Sequence, residues 1–335
     1  MSVVDFDSYR MEGVSVARAS LAGSGVALVL LSAATFGTSG IFATSLIDSG
    51  WSAGAAVAAR VCGGALLLTI PALWQLRRRW STLRGSLRLV TVYGVIAVAG
   101  CQLCFFNAVE HLSIGVALLI EYLCVLMVVG WMWLRHHHRP RPMTIVGSAL
   151  SVGGLGFVLD LTGRQHIDPV GVLWALAGAV GCAVYYVLSA RSEEPLPAIA
   201  MSWAAMVIGG LVLVIFGAAG AVPMTASFHQ VSFASHQTSW LVPIVGLALL
   251  ASALAYVFGV SGARRLGPKL SSFLGLTEVL FAVVFAWLVL GQLPAGIQLV
   301  GGALIVTGVT LVRIDELKEP DEAEPLETPL PALAA

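Results

Sequence analysis

Three ionisable side chains lie deep inside long apolar stretches of this sequence: Arg60, Glu121 and Glu278. Near the bilayer centre a charge costs about 2.5–3.5 kcal/mol on insertion scales, and such residues mark transport pathways more often than not. A guanidinium is a bidentate partner for a carboxylate. A carboxyl group can hold an amine, or can exchange a proton where a low dielectric penalises its charged form. These groups allow two readings. In one, Arg60 clasps a substrate carboxylate while Glu121 or Glu278 takes the substrate amine or carries a proton. In the other, Arg60 pairs with a glutamate and ties helices together, since unpaired buried charge is costly. One arginine cannot fully neutralise two carboxylates, which weighs towards a pathway role for the glutamates.

The elements that must hold these groups are ten apolar stretches, at 22–46, 53–76, 87–109, 112–134, 143–161, 169–190, 197–221, 240–263, 269–290 and 296–313. A spanning helix needs about 20 apolar residues. The chain has 335 residues, 58% hydrophobic and 11% charged, with mean hydropathy +0.91. A soluble domain carries about 25% charged residues. The lipid bilayer is therefore part of the solvent, and the chain reads as an all-α integral membrane protein with ten transmembrane helices. The net charge of zero argues against a nucleic-acid partner.

Lysine and arginine set the orientation. Arg77, Arg78, Arg79, Arg84 and Arg88 follow the second stretch, Arg135, Arg139 and Arg141 the fourth, and Arg191 the sixth. Arg264, Arg265 and Lys269 fall between the eighth and ninth, and Arg10, Arg18, Arg313 and Lys318 flank the ends. With ten spans all lie on one side, and only Arg164 lies on the other. Both termini are expected in the cytoplasm, in a multi-pass protein of the inner (plasma) membrane. Residues 1–21 are polar and mixed, and the apolar run after them is read as an uncleaved first helix. The loop 222–239 is polar and rich in Ser, His and Gln. Residues 314–335 form an acidic, Pro-rich tail, expected to be disordered.

At 1.5 Å per residue, Glu121 and Glu278 each lie about 13 Å inside their spans, and Arg60 about 10 Å. Other groups placed to line a path are Thr38, in the TFGTSG of the first span, Gln102 and Asn107 on the third, Tyr186 on the sixth and Tyr256 on the eighth. Serine and threonine in membrane helices more often bond backbone than ligand, and the tyrosines serve packing as readily as a cavity wall. The five cysteines all lie in spans, and the C-x-x-C of Cys101 and Cys104 reads as helix packing. His136, His137 and His138 read as a solvated basic loop. There is no G-x-x-x-x-G-K-[ST], H-E-x-x-H or G-x-S-x-G, so neither direct nucleotide energy nor an enzyme is expected. No cofactor or metal is implied.

The spans divide into two sets of five, each with a glutamate in its fourth member: LSIGVALLIEYLCVLMVVGWMWL with Glu121 and LSSFLGLTEVLFAVVFAWLVLG with Glu278. An odd number per half inverts the second half, the plan of many alternating-access carriers. The segments GLTEVLFAVVFAWLVLGQLPAGIQLVGGALIVTGVTLV (275–312) and ALAYVFGVSGARRLG (253–267) resemble the drug/metabolite transporter superfamily, of the ten-span EamA type. LSIGVALLIEYLCVL (112–126) and DPVGVLWALAGAVGCAVYYVLSAR (168–191) are similar to its threonine/homoserine exporter branch. The resemblance implies two inverted five-helix repeats, at 22–161 and 169–313. It also implies export of a small metabolite, an amino acid or related zwitterion, with proton coupling open. The family commonly carries Pro just after the helix-nine glutamate position, and the branch carries one four residues after its helix-four glutamate. Val279 and Val125 stand there instead. A broken helix at either glutamate is therefore not expected. Gln292 stands where the family often has Glu. The alternative is a membrane-embedded sensor or scaffold without transport, in which Glu121 and Glu278 would tolerate replacement.

Overall fold

The computed structural model describes residues 23–136, 140–161, 168–191, 195–234 and 236–317. The N-terminal segment, His137, His138, Arg139, Arg164 and the tail from Lys318 onward lie outside the described residues. The helices are α1 (Gly23–Ile47), α2 (Ala53–Leu76), α3 (Leu87–His111), α4 (Ile114–Arg135), α5 (Pro142–Val158), α6 (Pro169–Ser189) and α7 (Ala198–Ala218). The apolar run Leu241–Gly275 comes next. Gly267 breaks it with φ 79°, a left-handed value that needs no Cβ, and Pro268 is its neighbour. The run is thus two helices, α8 (241–266) and the start of α9 (268–290), with α10 (Gly296–Leu317) last. Eight helical stretches among the described residues are long and apolar enough to cross a membrane. Pro142–Val158 and Thr277–Leu290 are apolar but shorter.

Local chemistry sets the helix starts. Ser52 caps α2 by accepting the Ala55 N–H at 3.2 Å. Asp168 caps α6 by accepting the Val170 N–H at 2.8 Å, with Pro169 at the first helical position. Large side chains face outward around the bundle: Leu66, Ile70, Leu134, Leu173 and Leu288 are all more than 65% exposed. In water that would be a liability, whereas in lipid it is the expected face. Inside, small residues let backbones approach. A Cβ on Gly154 of α5 would stand 2.6 Å from the Gly301 carbonyl of α10, and one on Gly147 would stand 2.7 Å from the Gly308 carbonyl. The two helices therefore cross on facing glycines.

Two expectations from the sequence need correction. The loop 222–239 contains an antiparallel hairpin, β1 (Gln230–Phe233) paired with β2 (His236–Ser239), with Val231 opposite Thr238. Phe233 stacks on Phe42 of α1 at 5.2 Å, and Trp51 donates from Nε1 to the Ser227 carbonyl at 2.5 Å. Strands of four residues carry little pattern of their own. This pair is held by apolar residues of the end of α1 and of the turn after it, Val231 being buried with Phe42, Leu46 and Trp51. The second correction concerns the tail: α10 runs to Leu317, and Asp315 is buried, accepting from the Thr144 hydroxyl of α5. Burial of that carboxylate against a donor extends the helix past residue 313.

Candidate substrate cavity

Two departures from regular helix aim the cavity wall. α3 switches to i→i+5 hydrogen bonding over Tyr93–Gly100, and α8 does the same over Leu249–Leu254. Such a bulge inserts a residue and rotates the residues beyond it. Cys101 and Gln102 come just after the first and Tyr256 just after the second, and all three line one cavity of about 380 Å³. Glycines let the bulges pack: a Cβ on Gly94 would lie 2.7 Å from the Ala205 carbonyl, and one on Gly64 would lie 2.8 Å from Ser252 Cβ.

α4 is interrupted at Leu123 and α9 at Leu276, each two residues from a glutamate. The Leu123 N–H donates to the Ile120 carbonyl at 3.1 Å, and the Leu276 N–H to the Phe273 carbonyl at 3.1 Å. These are single tight i→i−3 turns. Val125 and Val279 stand in place of proline, and the backbone stays right-handed helical through both turns (Leu123 φ −60°, ψ −8°; Leu276 φ −58°, ψ −23°), so neither helix is broken open at its glutamate. Proline breaks a helix by removing a donor. Here the donors remain and shift to a partner one residue nearer, which tightens the turn without opening the helix.

Arg60, Glu121 and Glu278 all line the cavity. Arg60, on α2, is 8% exposed, yet its Nε has no hydrogen-bond partner. Among the described residues no ion pair joins it to either glutamate, although all three line one cavity. Helix tying by an Arg60–glutamate pair is therefore not what the geometry displays. Glu121 Oε1 accepts from the Cys101 thiol at 3.0 Å. Glu278 and Tyr122 line the same cavity. A Cβ on Gly37 would stand 2.9 Å from the Glu278 carbonyl, so the glycine of TFGTSG brings α1 against α9 at this level.

Gln102, Tyr186 and Tyr256 also line the cavity, whereas Thr38 and Asn107 do not. The Thr38 hydroxyl donates to the Thr35 carbonyl at 2.6 Å, and Asn107 Nδ2 to the Leu103 carbonyl at 2.7 Å. Sequence reasoning passed over Tyr122, Phe36 and Ser32, which line the wall. Tyr122 was accessible as the neighbour of Glu121; Phe36 and Ser32 carry no local signal. Phe36 meets Tyr256 edge-on at 5.2 Å, and Tyr185 meets Tyr256 at 5.7 Å and 88°, forming an aromatic side to the site. Among the described residues no group of three His, Cys, Asp or Glu side chains is placed to hold a metal ion.

The cavity reaches from the three charged groups to Ile47, Ala53, Val109 and Ile114, at the bundle end carrying the α1–α2 and α3–α4 turns. Ile47 and Ile114 are exposed there. The opposite end is packed shut. A Cβ on Gly262 of α8 would lie 2.6 Å from Val29 of α1, and Arg265 donates to the Ser24 hydroxyl at 2.7 Å. Arg264 donates to the Leu196 carbonyl at 2.8 Å, and Lys269 stands 3.9 Å from Glu316. The arrangement is a half-enclosed site with one cationic and two carboxylic groups, reachable from one end.

The architecture has solved counterparts. A protein known from its crystal structure superposes on 89% of this chain and 99% of its own, with TM-score 0.72 and 20% sequence identity. An uncharacterized inner membrane transporter of Salmonella typhimurium, YicL, is 24% identical over 303 residues, covering 87% of this chain and 95% of that protein. An uncharacterized transporter of Archaeoglobus fulgidus is 24% identical over 287 residues, covering 86% of this chain and 95% of its own. The model of the EamA-like transporter family matches residues 23–160 and 169–314. With most of its length so matched, this multi-pass helical membrane protein belongs to the EamA-like transporter family.

Proposed function

We propose that this chain is a secondary transporter that exports a small zwitterionic metabolite, an amino acid or a close relative, by alternating access. The observation that carries the reading is Arg60, a buried guanidinium without a carboxylate partner, facing two carboxyl groups in one cavity. A substrate carboxylate completes Arg60, and a substrate amine completes one glutamate. The second glutamate is then left with a charge to neutralise, and a proton does this. One proton per zwitterion is the balance that the three groups favour. The outward direction rests on likeness to the threonine/homoserine branch. The membership also fits a carrier that acts on small molecules rather than an enzyme.

The frame for this motion is ten spans in two inverted repeats, 22–161 and 169–313. Its support is the correspondence between helices. The third member of each set carries a bulge, the fourth an interruption beside its glutamate, and the fifth members pack on each other through glycines. The family model also matches two successive segments. The arginine and lysine clusters sit at the closed end, so the positive-inside rule puts that end and both termini in the cytoplasm of an inner-membrane protein. The cavity then faces outward.

The test is uptake of radiolabelled amino acids into inside-out vesicles, with and without an imposed pH gradient, for the parent, Glu121→Gln and Glu278→Gln. Gradient-driven uptake that disappears in one variant identifies the proton carrier. Uptake indifferent to gradient and variants leaves passive transport and removes the proton. An absence of transport across all amino acids and related metabolites, in protein that remains folded, returns the chain to a sensor or scaffold.

A further inference from the structure

The C-x-x-C of α3 makes no pair: the Cys101 thiol is spent on Glu121. A different pair, without any motif, meets across two helices. Cys124 of α4 donates from its thiol to Cys182 Sγ of α6 at 3.0 Å, across 58 residues of chain. Cys124 sits directly after the tight turn at Leu123 and is fully buried, whereas Cys182 is half-buried and lines the cavity with Tyr185 and Tyr186. One thiol is thus open to small solutes in the cavity and the other stands behind it. A disulfide bond measures about 2.0 Å, so closure asks the two sulfurs to move together by about 1 Å. Two thiolates on one zinc ion would stand roughly 3.7 Å apart, given Zn–S distances of about 2.3 Å and a tetrahedral angle. The pair is spaced for a bond between the sulfurs rather than for a shared ion.

We infer that Cys124 and Cys182 form an oxidisable dithiol, which a peroxide entering the cavity converts to a disulfide pinning α4 to α6. In the first step Cys182 sulfur attacks a peroxide oxygen. The O–O bond breaks, one water leaves, and Cys182 becomes a sulfenic acid. In the second step Cys124 sulfur attacks the Cys182 sulfur, the S–O bond breaks, and a second water leaves. The two thiols lose two electrons and two protons in total, and the peroxide gains both. α4 belongs to the first repeat and α6 to the second, so the bond joins the two halves three residues from Glu121. Arrest of transport by this bond rests on the transporter reading above; the bond itself does not.

The experiment uses the full chain in proteoliposomes, treated with hydrogen peroxide and then with N-ethylmaleimide, and analysed by peptide mass spectrometry alongside uptake. The expected result is a peptide pair linked through Cys124 and Cys182, absent from Cys124→Ser and from Cys182→Ser. Uptake falls in proportion to the linked fraction and recovers with dithiothreitol, while Cys124→Ser transports and ignores peroxide. Maleimide on both cysteines after peroxide, or linkage of Cys182 to Cys101 instead, overturns the dithiol. Linked protein that transports at the untreated rate overturns the arrest. If untreated protein moves no substrate, the transporter reading has failed, and the mass spectra still decide the dithiol.

Discussion

Replacing Arg60 by methionine separates a substrate clasp from a helix tie. The guanidinium is 8% exposed, its Nε is unsatisfied, and no carboxylate among the described residues stands within ion-pair distance. Breaking a buried ion pair by removing one partner costs about 3–5 kcal/mol, because the other charge is stranded. Here there is no such partner to strand. Methionine keeps most of the length and removes a charge whose burial is itself unfavourable. Arg60→Met is therefore expected to hold or raise the unfolding temperature in detergent, followed by tryptophan fluorescence. Its effect falls on binding instead. A hydrogen bond to a charged group contributes about 1.5–3 kcal/mol, which is about a 10- to 150-fold loss of affinity for a carboxylate-bearing substrate. Arg60→Lys keeps the charge but loses the fork, and recovers only part of that loss. The assay is uptake against substrate concentration beside the melting curve. A large drop in melting temperature with unchanged half-saturation would refute the reasoning, since it would make Arg60 a structural partner after all.

Two further substitutions test how the bundle is held. Gly154→Val puts a branched side chain where a Cβ already lies 2.6 Å from the Gly301 carbonyl, and should destabilise by about 1–3 kcal/mol or more. Gly153→Ala, with nothing within 4 Å of its Cβ, should melt no lower than the parent, and equal losses in both would remove the close α5–α10 crossing as the cause. Thr144→Val leaves the buried Asp315 carboxylate short of a donor, at about 1–3 kcal/mol. Thr307→Val removes only an exposed hydroxyl bonded to its own helix at Ala303, and should stay within about 0.5 kcal/mol of the parent. A neutral Thr144→Val would mean that α10 does not need its anchored end.

The sequence by itself determined which residues are expensive. Apolar runs long enough to span, and three charges inside them, follow from transfer energies that depend on residue type and position alone. That is why Arg60, Glu121 and Glu278 were legible, along with most helix boundaries and the family. Depth along a helix is a one-dimensional property and was read directly. Direction around the helix axis was not. The bulges at Tyr93–Gly100 and Leu249–Leu254 and the tight turns at Leu123 and Leu276 each rotate the residues beyond them. A face counted at 3.6 residues per turn is lost at the first of these. Asn107, beyond the first bulge, turns to its own backbone. On α1, which carries none of these departures, Thr38 does the same while Ser32 reaches the cavity, so the packing of neighbouring helices decides the face as well. The hairpin of β1 and β2, the buried end of α10 and the meeting of Cys124 with Cys182 were likewise decided by the tertiary structure. Each depends on what another helix brings to it, and contacts between distant segments leave no mark on local spacing.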